Sequence, residues 1–194
     1  MINQWSLTIH EAYSAHTRRG DVNMPNGVII WFTGHSKSGK TTLTKSIEKL
    51  LQHRGCKAIR LDSDTLPMGI IKPEGHSWEE RQQRKNENLI FLSKLLMENG
   101  YYVLISSVGR FSKWRELLRS QVSDYLEIYL KCPLEVRLQR DVTGKYVSHP
   151  DYFHVYEEPE NPDLAIDTSR VPIPEATELI LRLFTERGYL QNGE

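Results

Sequence analysis

Cysteine is scarce in this chain: Cys56 and Cys132 are the only two. Two thiols build no disulfide framework, so a packed core has to hold the fold, and two reduced thiols in a cytoplasmic protein are the expected state. An excess of charge of one sign is also missing. Lys plus Arg and Asp plus Glu both number 25, for a formal net charge of zero. Proteins that bind nucleic acid by neutralising phosphates carry a basic surplus, so no nucleic-acid polymer is expected as a partner. No apolar run approaches the ~18 residues of a transmembrane helix, and no membrane partner is expected. The first twenty residues carry Gln4, His10, Glu11, His16, Arg18 and Arg19 without an apolar stretch, so no secretory signal is expected either. Internal repeats and low-complexity tracts are absent. What is present is ordinary for a globular protein. Hydrophobic residues make up 39% and charged residues 26% of 194, which excludes a disordered chain.

Residues 1–26 show no sustained period and end in the turn-prone Met24-Pro25-Asn26-Gly27. They read as an arm or a short hairpin lying on a core of residues 27–194. Val28-Ile29-Ile30-Trp31-Phe32 is continuously apolar, the pattern of a strand buried on both faces of a parallel sheet. A helix is expected over 40–54, with Leu43, Ile47, Leu50 and Leu51 on one face and Gly55 as its stop. The alternation continues with strands at 58–61, 101–106, 126–130 and 164–167. Helices are expected at 78–99, 112–121, 133–140 and 174–187. Residues 141–162 are rich in Pro, His and Tyr, have no clear period and read as a lid-like segment. Strands alternating with helices predict a parallel α/β sandwich.

Gly34-His35-Ser36-Lys37-Ser38-Gly39-Lys40-Thr41 matches G-x-x-x-x-G-K-[ST] without a gap, directly after the first strand and opening the first helix. Glycines let backbone N–H groups curl round an anion, and the helix N-terminus adds partial positive charge. Lys40 is expected on the β- and γ-phosphates of ATP and the Thr41 hydroxyl on Mg²⁺, with Thr42 continuing the nucleotide contact. Within the loop, Lys37 either touches phosphate or faces solvent. The predicted fold is therefore a phosphate-loop NTPase of the nucleotide-kinase type: three layers round a five-stranded parallel sheet.

The second strand runs into Asp62-Ser63-Asp64. Carboxylates at such strand ends point into the ligand crevice. There Asp64 can hold Mg²⁺ or take the proton of an attacking hydroxyl, and Asp62 can contact substrate. Both also suit a turn or helix cap. Arg140, just before the lid, is expected to neutralise the transferring phosphoryl group, while Arg137 is equally read as a helix-face residue. Ser106, at the end of the third strand, either binds substrate or caps the structure. Tyr152, Phe153 and Tyr156 are candidates for stacking on a base. His149 and His154 lack a third metal ligand. No Asn-Lys-x-Asp tetrad occurs, which argues against a GTPase. The size fits a small-molecule kinase.

Several segments together resemble the adenylylsulfate kinase family. They are Ile30-Trp31-Phe32-Thr33-Gly34 with the phosphate loop, Leu61-Asp62-Ser63-Asp64, Ser93-Lys94-Leu95-Leu96, Asn99-Gly100 and Ile105-Ser106. Pro133-Leu134-Glu135-Val136, Arg140-Asp141 and Tyr156-Glu157-Glu158-Pro159-Glu160-Asn161-Pro162 complete the set in the family's order. The resemblance implies transfer of the ATP γ-phosphoryl group to the 3′-hydroxyl of adenosine 5′-phosphosulfate, with Mg²⁺, in a homodimer. It implies Arg81, Arg110 and Tyr156 among the substrate contacts.

The chain departs from the family pattern on the acceptor side. Pro67 stands where the family has an anion-gripping Arg, and Ser63 where it has Gly. The basic lid stretch Lys-Ala-Arg-Ala-Gly is missing. Arg81, Arg84, Lys85, Arg110 and Lys145 are the cations available to compensate. Two alternatives therefore stand beside adenylylsulfate kinase. One is a kinase on the same scaffold acting on another nucleotide-linked or small anionic acceptor, such as cytidine diphosphoramidate. The other is an ATP-binding regulatory protein without transfer.

Overall fold

All six side chains of β1 (Val28–Thr33) are buried, and the fold is arranged around that strand. The computed structural model describes residues 27–72, 74–75, 77–148 and 155–191. The expected arm, and His149, Tyr152, Phe153 and His154 of the lid, lie outside them. After β1 come α1 (Lys40–His53), β2 (Ala58–Asp62), α2 (Met68–Ile71), α3 (Trp78–Glu98), β3 (Tyr102–Ser106) and α4 (Ser112–Gln121). Then follow β4 (Tyr125–Lys131), α5 (Leu134–Gln139), α6 (Lys145–Ser148), β5 (Leu164–Asp167) and α7 (Ile173–Glu186). The five strands form one sheet in the order β2-β3-β1-β4-β5, with every neighbouring pair parallel.

The unbroken apolar run of β1 is explained by two cores. Val28, Ile30 and Phe32 face Leu43, Ile47 and Leu51 of α1 and Ile180 and Phe184 of α7. Ile29 and Trp31 face Leu89 of α3 and Trp114 and Leu118 of α4. Strand side chains alternate between faces, so a strand covered on both sides must be apolar at every position. Burial of each such large side chain stabilises the fold by about 1.5–3 kcal/mol. The helix starts differ in an informative way. The Ser77 side chain accepts from the Glu80 N–H at the start of α3, with Glu79 and Glu80 in the first turn, a good N-cap. At the start of α1, Gly39 makes no side-chain cap.

The chain leaves β1 toward β3 and β2 and later crosses to β4. The strand order therefore reverses beside β1, where ligands bind in open parallel sheets. The C-terminal ends of β1, β2 and β3 converge there, carrying the phosphate loop, Asp62 and Ser106. The elements expected from sequence are all present within two residues at their ends. The one-turn helices α2 and α6 were not foreseen, because four residues cannot display a 3.6-residue period.

Candidate active site

Backbone conformation builds the floor of the site. Gly34 has φ +138°, and a Cβ there would lie 2.5 Å from the Leu130 carbonyl oxygen, so β4 leaves room only for glycine. Gly39 has φ +95° and turns the chain into α1. Lys37, the one described non-glycine residue with positive φ, has φ 63°. Lys40 is buried, and its ammonium donates to the carbonyls of Gly34 (2.8 Å) and His35 (2.7 Å). Burial pulls its pKa down to about 7, against the opposing charge of Asp64. Folded back on its own loop, Lys40 is satisfied by weak acceptors that an anionic phosphate can replace.

A cavity of about 490 Å³ opens above this loop. Ser36, Lys37, Gly39, Lys40, Thr41 and Thr42 line its floor; Asp62, Ser63, Asp64, Ser106 and Val108 line one wall; Arg140, Lys145, Thr168 and Val171 belong to the other. The two aspartates do different work. Asp62 is 1% exposed; it accepts from Arg60 (2.6 Å) and from the Asp64 N–H (2.8 Å), so both its oxygens hold the turn. The side chain of Asp64 is 63% exposed, and one oxygen lies 3.6 Å from the Lys145 ammonium. Asp64 is the carboxylate left for reagents. The buried hydroxyl of Ser106, on this wall, has no hydrogen-bond partner among the described residues.

Thr41 and Asp64 both offer oxygen to the cavity. Mg²⁺ takes one or two protein oxygens together with substrate phosphates, so these residues fit it. No cluster of three or more His, Cys, Asp or Glu that could hold a metal occurs among the described residues.

Several sequence candidates serve the frame of the site. Lys37 does not turn to the phosphate position: its ammonium donates to Thr143 Oγ1 (2.9 Å) and pairs with Asp141 (3.1 Å), joining the phosphate loop to the lid. His35 packs its ring 4.6 Å from that of Tyr156, and burial, with Arg137 and Lys40 adding to it, lowers its pKa to about 4. It is neutral, and its backbone carbonyl is what meets Lys40. Tyr156 contacts Thr33 Oγ1 (3.0 Å), whose own proton goes to the Val108 carbonyl (2.7 Å). Tyr156 is therefore the donor, and both ring and hydroxyl are committed to pinning the lid's end to β1. Arg110 is buried and donates to the Val155 carbonyl (3.2 Å), tying the same segment down. Arg140 reaches the cavity rim, with its guanidinium on the Thr168 carbonyl (2.7 Å) and hydroxyl (3.1 Å).

Arg81 does not line the cavity; it donates to the Gly75 carbonyl (3.1 Å). Gln82 and Asn86 are among the buried positions of α3, and Lys85, one turn on from Arg81, lies within reach of the charges of Arg110, Lys145 and Asp64. Burial, then Arg110 and Lys145, pull the Lys85 pKa to about 8, while Asp64 opposes them. Arg84 points outward to Glu80 (2.6 Å). Arg137 and Tyr146 form a further link: Arg137 donates to the Tyr146 hydroxyl (2.8 Å), which donates to the Ser36 carbonyl of the phosphate loop (2.8 Å). Sequence spacing gave no signal for this link, because Tyr146 and Ser36 are 110 positions apart.

An uncapped helix start behind a phosphate-cradling loop, an exposed carboxylate across the cavity and a cation-bearing lid define the phosphate-loop kinases that move a phosphoryl group to a hydroxyl acceptor. Within that class the chain belongs to the adenylylsulphate kinase family, whose sequence model matches residues 26–167. It is 38% identical to a probable adenylyl-sulfate kinase of Pyrococcus abyssi, over 84% of this chain and 98% of that one. It is 33% identical to an adenylyl-sulfate kinase of Halothermothrix orenii, over 87% and 95%. Among solved structures it resembles the Mycobacterium tuberculosis APS kinase in complex with AMPPNP and APS. That match has a TM-score of 0.74 at 28% identity and covers 83% of this chain and 99% of the other. No described helix is long and apolar enough to cross a membrane.

Proposed function

We propose that this protein is an adenylylsulfate kinase, transferring the γ-phosphoryl group of Mg·ATP to the 3′-hydroxyl of adenosine 5′-phosphosulfate. The observation that carries the reading is the pairing of Lys40 and its loop with the exposed Asp64 across one cavity. The backbone of residues 34–41 and Lys40 bind the β- and γ-phosphates. Thr41 and Asp64 would hold Mg²⁺, which would neutralise phosphate charge. Asp64 receives the acceptor proton. The acceptor oxygen bonds to the γ-phosphorus as the bond to the bridging oxygen breaks, and that electron pair leaves with ADP. Ser106 and Lys85 face the acceptor.

A second reading is favoured by Pro67, which caps α2 at the position where the resemblance implies an anion-gripping Arg. It is a kinase of the same scaffold with another nucleotide-linked acceptor. ADP release from Mg·ATP separates the two. The acceptors are adenosine 5′-phosphosulfate, cytidine diphosphoramidate, nucleoside monophosphates and a blank. Saturable turnover with adenosine 5′-phosphosulfate supports the first reading. Turnover with another acceptor alone supports the second.

A further inference from the structure

We propose that Lys145 is a catalytic residue of this kinase, the cation that follows the phosphoryl group from donor to acceptor. The inference rests on the kinase reading above but not on which acceptor is used.

Lys145 opens α6, lines the cavity and lies 3.6 Å from Asp64. Asp64 is also the strongest opposite charge acting on Lys40, with Lys145 next among the charges. Lys145 acts on Lys85 on the acceptor side as well. Three charges, Lys40, Asp64 and Lys145, thus surround one spot, the place where a phosphoryl group held by Lys40 meets a hydroxyl held by Asp64.

The mount of Lys145 is rigid. The neighbouring Tyr146 is 9% exposed. Its N–H donates to Asp141 (2.8 Å) and its hydroxyl to the Ser36 carbonyl (2.8 Å). Lys145 therefore stands one residue from a strut fixed to the phosphate loop, while its own side chain stays 42% exposed. Arg140, by contrast, has its guanidinium engaged by Thr168.

The chemistry uses this geometry in sequence. Before transfer, Lys145 pairs with Asp64 at 3.6 Å, both side chains being largely exposed, and an exposed pair of this kind is held only weakly. The ammonium therefore gives up Asp64 readily to a phosphoryl group arriving beside it. The ammonium is released while charge sits on the equatorial oxygens of the phosphoryl group, between the breaking bond to ADP and the forming bond to the acceptor. A preorganised cation there stabilises the transition state more than the ground state.

The test is Lys145→Ala and Lys145→Arg in the full chain, each with three readouts. These are kcat with Mg·ATP and adenosine 5′-phosphosulfate, acceptor-free ATP hydrolysis, and calorimetric affinity for Mg·ADP with and without fluoroaluminate. Lys145→Ala should lower kcat by about 100-fold to 1,000-fold. Mg·ADP affinity should stay within about threefold, the fluoroaluminate complex should weaken far more, and Lys145→Arg should recover part of the loss. A kcat within about threefold of the parent, or equal weakening of both ADP complexes, overturns the proposal. If the parent protein does not turn over adenosine 5′-phosphosulfate, the acceptor reading fails alone. The hydrolysis and fluoroaluminate arms then still decide Lys145.

Discussion

The two sides of the cavity are built by different means. On the donor side, backbone does the work: positive-φ glycines, an uncapped helix start and one buried lysine, contiguous between Gly34 and Thr41. On the side proposed for the acceptor, side chains do it: Asp64 from the turn after β2, Ser106 from β3 and Lys145 from the lid. A backbone cradle tolerates little change because its shape is its chemistry. A side-chain wall can exchange an Arg for Pro67 in one element and supply a cation from another. That is how a chain can keep the family's donor site and still rebuild its acceptor site.

This contrast can be broken at its donor end with the largest effect. Lys40→Ala should lower kcat by about 1,000-fold or more, since it removes the point charge on the transferring group; steady-state ADP release measures this. Asp64→Asn, on the acceptor wall, should lower kcat by about 100-fold to 10,000-fold, the range for losing a general base. ADP affinity should change little, and a matched loss of both would place Asp64 in nucleotide binding instead.

Between the two sides runs the strut through Tyr146. Tyr146→Phe strips Arg137 and the Ser36 carbonyl of their shared hydroxyl and should cost about 1–3 kcal/mol, read by denaturant unfolding. The smallest effect is titration. Lys40 in the free protein has a pKa near 7 and Lys85 near 8, so above pH 7 the empty site progressively loses cations. An anionic nucleotide favours the protonated amine, so binding takes up a proton there. Mg·ADP affinity should be level below pH 7 and fall by up to about tenfold per pH unit above it. Calorimetry in buffers of different ionisation enthalpy detects the uptake.

The donor side was legible because its signals are local. An unbroken apolar strand, a gapless loop motif and a helix with apolar residues at Leu43, Ile47 and Leu51 each fit within one short window. The acceptor side was not, because its decisive contacts join residues far apart in the chain. Lys37 answers to Asp141 and Thr143, and His35 to Tyr156. No spacing rule displays those pairs. A local contact adds a second limit: Arg81 and Lys85 share one face of α3, yet Arg81 is taken up by the Gly75 carbonyl while Lys85 lies by the charges of Arg110 and Asp64. The Asp62-Ser63-Asp64 motif marked both carboxylates. Only the hydrogen bonds from Arg60 and the Asp64 N–H show that Asp62 is consumed by the turn.

The most direct test of the central claim is ADP release from Mg·ATP with and without adenosine 5′-phosphosulfate. The account predicts release that saturates with that acceptor and stands far above the blank. Release that ignores adenosine 5′-phosphosulfate, in protein that still binds Mg·ADP, would contradict it.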